Sequence, residues 1–160
     1  MKRNIARTRL VIFSVVTICL LSSAYADDLG NCSLANVAGD WAYTYTGTLF
    51  APTAALPVAS VGSFTQDGRG NMAGTQNRSV AGTSAVETVT GTITVKTDCT
   101  GTLDANVYES GQFVRSAVIP LIYDNNRKHF RAIFRSLTLP NGANVPVTIT
   151  IDGMRVSSGQ

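Results

Sequence analysis

Apolar and polar residues alternate along the chain from residue 40 onward, which is the pattern of β-strands with one buried face. Thr, Val, Ile and Tyr dominate these segments, Gly, Asn and Asp recur between them, and no segment has a helical period. The alternation predicts strands at residues 40–50, 57–66, 71–80, 85–97, 102–109, 113–123, 128–138 and 145–156. Because the links are short, we expect an all-β fold, an eight-stranded antiparallel up-and-down barrel, with a β-sandwich as the alternative.

The segment FTQDGRGNMAG, at residues 64–74, raises the question of a ligand loop. A calcium loop needs more oxygen ligands than Asp67 and Asn71 supply, and a phosphate loop needs a helix directly after its glycines. Asp-Gly followed closely by a second Gly supplies the positive φ angles of a tight hairpin. The sequence therefore predicts a plain turn between the second and third strands.

Alternation also assigns side chains to the inner and outer faces of the strands. Glu87 shares the parity of the inward set and is expected inside, near one end of the barrel, whereas Arg115, Arg131 and Arg135 are expected outside. Pro120 cannot donate a ladder hydrogen bond, so a bulge is expected there. The predicted inward set is Trp41, Tyr43 and Tyr45 in the first strand, Val89, Ile93 and Val95 in the fourth, Val114, Val118 and Ile122 in the sixth, Phe130, Ala132 and Phe134 in the seventh, and Val147, Ile149 and Ile151 in the eighth.

Residues 1–26 have the pattern of a signal peptide: a basic start, the apolar run LVIFSVVTICLL, and Ala-Tyr-Ala at the end. The run is shorter than the ~20 residues of a membrane span. We expect cleavage after Ala26, a secreted or periplasmic location, and one barrel domain at residues 27–160 without a membrane span. Four of the 13 basic residues and none of the 10 acidic ones lie in the leader, so the mature chain would carry a net charge of −1. That balance gives no support to nucleic-acid binding.

Two cysteines remain after the leader, Cys32 and Cys99. In an exported chain such a pair is expected to form a disulfide, with two buried free thiols as the alternative. In the predicted barrel both cysteines lie at the end where the first strand begins, which we call the base. The other end, with longer and more apolar links, we call the mouth. A disulfide at the base is therefore geometrically consistent.

The segment GDWAYTY resembles the start of the first strand in the calycins, and in lipocalins in particular. The resemblance implies that Trp41 closes the base of a barrel and that an Arg near the end of the last strand, here Arg155, covers it. The segments GSFTQDGRGN and GTITVKTDCTGT are similar to those of a group of small secreted bacterial β-barrel proteins of unassigned function. This second resemblance implies compartment and fold, and no activity.

Signatures of catalysis and metal binding are missing from the sequence. His129 is the single histidine and has no identifiable catalytic partner, and the chain has no Gly-x-Ser-x-Gly motif. With one histidine and one cysteine pair, a zinc site of three His or Cys ligands is nearly excluded. We expect no catalytic residues, no metal and no cofactor. We also expect no enzymatic activity, with an enzyme kept as the third and least favoured class.

Two features remain as candidates for function. The inward aromatic residues Tyr43, Tyr45, Phe64, Phe130 and Phe134 either fill the barrel or line a site for a small apolar or aromatic ligand at its mouth. The basic residues Arg115, Arg127, Lys128, Arg131 and Arg135 form either a solvated outer face or a docking patch for an acidic partner. We expect an exported module that binds a small ligand; the alternative is a protein-interaction module or an inhibitor of a secreted enzyme.

Overall fold

A computed structural model describes residues 31–156, so the predicted leader and its cleavage site lie outside the described residues. One short helix, α1 (Leu34–Val37), precedes nine strands. The strands are β1 (Gly39–Ala51), β2 (Ala54–Gln66), β3 (Asn71–Val80), β4 (Thr83–Val95), β5 (Thr100–Glu109), β6 (Gln112–Tyr123), β7 (His129–Ile133), β8 (Ser136–Thr138) and β9 (Val147–Arg155). Within residues 31–156, no helix has the length and apolar character needed to cross a membrane.

The strands close into an antiparallel barrel, which confirms the predicted fold class. Strands β1 to β6 pair in chain order, β6 continues to β7, β7 to β9, and β9 returns to β1. The seventh predicted strand is divided into β7 and β8 by Phe134 and Arg135; among the described strands β8 pairs with β6, and Thr138 of β8 also forms a bridge with Asn144. The barrel therefore has eight wall positions and one extra strand.

The turn between β2 and β3 is a tight turn, as predicted. Asp67 accepts hydrogen bonds from the backbone N–H groups of Arg69 and Asn71 at 2.9 and 2.8 Å, and from Nδ2 of Asn71 at 2.7 Å. Gly70 has a φ of +90°, and a Cβ there would lie 2.4 Å from the carbonyl oxygen of Ile93. Both carboxylate oxygens are used within the turn, which explains the composition of this segment without a ligand.

The face of strand β6 that points into the barrel is not the predicted one. The register between β5 and β6 shifts so that Tyr108 pairs with Phe113 but Val107 pairs with Arg115, which leaves Val114 as an extra residue. Such a bulge reverses the parity of every residue after it. Arg115 therefore points into the barrel, and the predicted outward position was wrong. The inward set continues with Ala117, Ile119, Leu121 and Tyr123.

The rest of β6 corrects two further expectations. Val118 is only partly buried and Ile122 is 52% exposed, so neither belongs to the core as predicted. Pro120 pairs in register with Thr102, so the bulge is not at the proline. Pro120 instead lies between the residues of β6 that pair with β8 and those that pair with β7, where no second partner strand needs its missing N–H.

The base of the barrel is closed by α1 and by the predicted disulfide. Ser33 caps the helix, accepting a hydrogen bond from the backbone N–H of Asn36, whose side chain accepts from the Ser33 backbone in return. Cys32 and Cys99 are joined, which confirms the pairing. The disulfide connects the segment before α1 to the turn between β4 and β5. Sequence periodicity did not predict α1, because four residues are too few to show a helical period.

Trp41 is fully buried above α1 and is covered by Arg155. The indole Nε1 donates to the carbonyl oxygen of Val37 at 3.1 Å, and the guanidinium carbon of Arg155 lies 5.7 Å from the ring centroid. Arg155 also donates to the carbonyl oxygens of Asn36 and Ala38. One side chain thus holds the helix and the indole together at the base.

Replacing Arg155 by methionine is expected to destabilise the protein by about 1–3 kcal/mol, because the cation–π contact is lost and two carbonyl groups lose their donor. Urea unfolding monitored by Trp41 fluorescence measures the change. Arg131→Met is the matched control, since the Arg131 side chain is 77% exposed and its loss is expected to change stability by less than about 0.5 kcal/mol. Equal effects of the two substitutions would contradict the role given to Arg155.

Candidate functional site

A buried carboxylate lies inside the barrel on its mouth side. Glu87 on β4 points inward, as predicted, and its side chain has no exposed surface. Four hydrogen bonds reach it: Nε2 of Gln76 donates at 2.6 Å, Nε of Arg78 at 2.7 Å, and both Nη atoms of Arg115 donate to its two oxygens, Nη1 at 2.7 Å. Hydrogen bonds from charged donors such as the two arginines are stronger than neutral ones, so this carboxylate is held firmly in place. We call Gln76, Arg78, Glu87 and Arg115 the Glu87 cluster.

Three strands bring this cluster together. Gln76 and Arg78 are alternate residues of β3, and Gln76 is the direct cross-strand partner of Glu87. Arg115 comes from β6, and it reaches Glu87 because the bulge at Val114 turns it inward. The cluster therefore depends on the register shift between β5 and β6 as much as on the charged residues themselves.

The surroundings of Glu87 hold it ionised. Burial by itself would raise the pKa of the carboxyl, but the hydrogen bonds from Arg115 and Gln76, together with the charge of Arg115, lower it to about 2. For Arg115 burial acts to lower the pKa, and the hydrogen bond and charge of Glu87 outweigh it, so the pKa of its guanidinium is raised. The pair is therefore charged at neutral pH.

Two tyrosines extend the cluster toward the centre of the barrel. The Tyr43 hydroxyl donates to Oε1 of Gln76 at 2.8 Å, and Nε2 of Gln76 lies 3.5 Å from the Tyr45 hydroxyl oxygen. Burial, followed for Tyr43 by the nearby Tyr45, raises the pKa of both phenols, so both are neutral at pH 7. The Glu87 cluster and these tyrosines form a polar layer across the barrel.

This layer separates two cavities of different size. Below it, toward the base, a cavity of about 50 Å³ is lined by Tyr43, Phe64, Met72 and their neighbours. Above it, at the mouth, a pocket of about 170 Å³ has Arg78, Arg115 and Tyr45 on its polar side. We call the second one the mouth pocket. Its apolar lining includes Leu49, Val58, Phe134, Leu137, Val145 and Ile149.

The five aromatic residues expected to contact a ligand all line the deep cavity, and they differ in what else they touch. Phe64 and Phe130 pack against Trp41, with ring centroids 6.4 and 5.4 Å away, and thus belong to the floor of the barrel. Tyr45 and Phe134 contact each other at 5.8 Å and also line the mouth pocket. The arrangement places Tyr45 and Phe134 where a ligand could enter, and uses Phe64 and Phe130 for packing.

Sequence reasoning did not find Gln76, Arg78 or the true position of Arg115. A signal for the first two was present, because the larger apolar residues of β3, Met72 and Val80, share their parity and should face inward with them. Arg115 had no such signal, since alternation carried through β6 without the bulge places it outside.

The basic patch considered from the sequence loses one of its five residues to the interior, while Lys128, Arg131 and Arg135 are exposed. Arg115 is inside, and Arg131 lies 3.7 Å from Asp152. His129 has the same partner, with Nε2 2.8 Å from Oδ1 of Asp152. Among residues 31–156, no group of His, Cys, Asp and Glu side chains is placed to hold a metal ion.

Comparison with known proteins supports the fold. No family model matches the chain, and no curated protein matches it. The chain is similar to a solved structure, EF1p2_mFAP2b bound to DFHBI, with a TM-score of 0.54 and 17% sequence identity. The similarity covers 76% of this chain and 94% of the other. At this level of identity the two proteins share a barrel fold.

Proposed function

We propose that the protein is an exported binding module that holds a small apolar or aromatic ligand in the mouth pocket. The observation that carries the proposal is the pocket itself: about 170 Å³, apolar on most sides, with polar groups on one side. Ligand sites are typically apolar clefts with a few placed polar groups. A similar barrel is known bound to a small molecule, DFHBI, which is consistent with the proposal.

The volumes of the two cavities limit the size of the ligand. The deep cavity, at about 50 Å³, has room for water and not for an organic ring. A dry cavity of about 150 Å³ lined by apolar side chains is large enough to bind benzene. The mouth pocket is therefore sized for one ring or a short branched chain, and larger ligands would extend out of the mouth.

Two observations support the exported location that the proposal includes. A disulfide such as that between Cys32 and Cys99 is typical of proteins in oxidising compartments, which agrees with the leader-like sequence of residues 1–26. The alternative, a protein-interaction module acting through a basic wall, has less support because Arg115 is buried and Asp152 lies against Arg131.

Titration with toluene, benzyl alcohol and benzoate, followed by ¹H–¹⁵N NMR, tests the proposal. We expect at least one of these compounds to shift saturably the amide signals of Leu49, Val58, Leu137 and Ile149, which surround the mouth pocket. Val58→Phe should reduce the affinity by about tenfold or more by filling the pocket. Val61→Phe is the control, because Val61 points outward from the same strand. The proposal fails if none of the three compounds shifts these signals.

A further inference from the structure

One polar group beside the mouth pocket has hydrogen-bonding capacity left over. Arg78 uses Nε for Glu87, and its Nη2 lies 4.0 Å from Oε2 of Glu109, beyond the length of a hydrogen bond. A guanidinium has five N–H donors, so the outer edge of Arg78 can still donate to a ligand. Arg115 differs, since both of its Nη atoms are held by Glu87.

The charges around the pocket leave this edge positive. Two guanidiniums, Arg78 and Arg115, share the single buried carboxylate of Glu87. Glu109 brings the formal sum to zero, but its side chain is 46% exposed and water screens its charge. Because Glu109 is also the cross-strand partner of Glu87 on the same face, the two carboxylates repel each other. An acidic group of a ligand could therefore form with Arg78 the close ion pair that Glu109, at 4.0 Å, does not form.

We propose that the mouth pocket is selective for small carboxylic acids, whose carboxylate pairs with the outer edge of Arg78 while a single ring or short branched chain fills the apolar side. This inference rests on the proposed function and names the ligand class. The apolar walls, among them Leu137 and Ile149, require the apolar body. The unused donors of Arg78 favour an anionic or strongly accepting head group, for which an arginine fork is well suited.

Benzoate and benzyl alcohol are the matched probes, since they share a ring and differ in the charge of the head group at pH 7. In the wild-type protein we expect benzoate to bind about tenfold more tightly or better, as charge-assisted hydrogen bonds are stronger than neutral ones. Arg78→Met should remove this preference by weakening benzoate alone, with benzyl alcohol unchanged within about twofold. NMR titration or calorimetry measures both dissociation constants.

Glu109→Gln gives the opposite expectation and does not disturb the buried part of the cluster. Removing the competing carboxylate should tighten benzoate binding by about two- to fivefold and leave benzyl alcohol unchanged. Arg131→Met, on the outer wall, should change neither constant. The inference is overturned if the two probes bind the wild type equally, or if Arg78→Met weakens both to the same extent; the proposed function then still stands. If neither probe nor toluene binds, both fall.

Discussion

Replacing Glu87 by alanine is expected to destabilise the folded barrel by about 3–5 kcal/mol, because it leaves Arg115 as a largely buried charge without its carboxylate partner. The Arg115 side chain is 13% exposed, so water can restore little of the lost interaction. Gln76 loses a hydrogen-bond acceptor as well. Urea unfolding at pH 7, monitored by Trp41 fluorescence and circular dichroism, measures the loss.

Glu109→Ala is the matched control for this substitution. Glu109 is the cross-strand neighbour of Glu87, but its Oε2 lies 4.0 Å from Nη2 of Arg78 and its side chain is half exposed. We expect a change below about 1 kcal/mol. A loss of less than about 1 kcal/mol for Glu87→Ala would show that the cluster is hydrated and that its geometry contributes little.

The pH dependence of stability gives a second measurement of Glu87. Its folded-state pKa, about 2, lies below the ordinary value of 4.5, so its contribution is complete above pH 4.5 and is lost as the pH falls toward 2. The wild type should therefore lose more stability than Glu87→Ala over this interval. Hydrogen bonds within their turns, first from Asn71 and Thr100, also lower the pKa of Asp67 and Asp98. These two carboxyls are present in both proteins, so their effect on stability cancels in the comparison.

Removing the disulfide is expected to cost about 4 kcal/mol, the second large effect. The bond joins residues 67 positions apart, and a loop of that length restricts the unfolded chain strongly. The Cys32→Ala/Cys99→Ala double variant should show a lower urea midpoint with the barrel still closed, because β1 pairs with β2 and β9 without the cross-link.

The reduced wild-type protein is the control for the double variant. It keeps both side chains and lacks only the bond, so equal losses in the two cases would assign the effect to the cross-link. A double variant as stable as the oxidised wild type would show that α1 and Arg155 hold the base closed by themselves.

Much of the fold was predictable because its signals are local. Most strands show clear alternation of apolar and polar residues. Turns such as the one at Asp67 are marked by Asp-Gly sequences, which are typical of tight hairpins. The disulfide followed from two cysteines at one end of a barrel. Trp41 and Arg155 were expected at the base by resemblance, and the structure places both there in contact.

The candidate site was less predictable because it depends on contacts between distant strands. Both faces of β6 carry apolar residues, with Ile119 and Leu121 on one and Val118 and Ile122 on the other, so alternation could not detect the bulge. The interruption of the seventh strand at Phe134 has no Gly or Pro to mark it. The Glu87 cluster requires both the pairing of β3 with β4 and the shifted register of β6.

The bulge at Val114 has a consequence for how such a barrel could change its interior. If Val114 instead entered the ladder opposite Val107, the bulge would vanish and strand β6 would turn over from Arg115 onward. Val118 and Ile122 would then point to the axis, and the guanidinium that holds Glu87 would move into solvent. A slip of one residue in the pairing of β6 with β5 thus separates an interior crossed by a charged layer from one lined by apolar side chains throughout this strand.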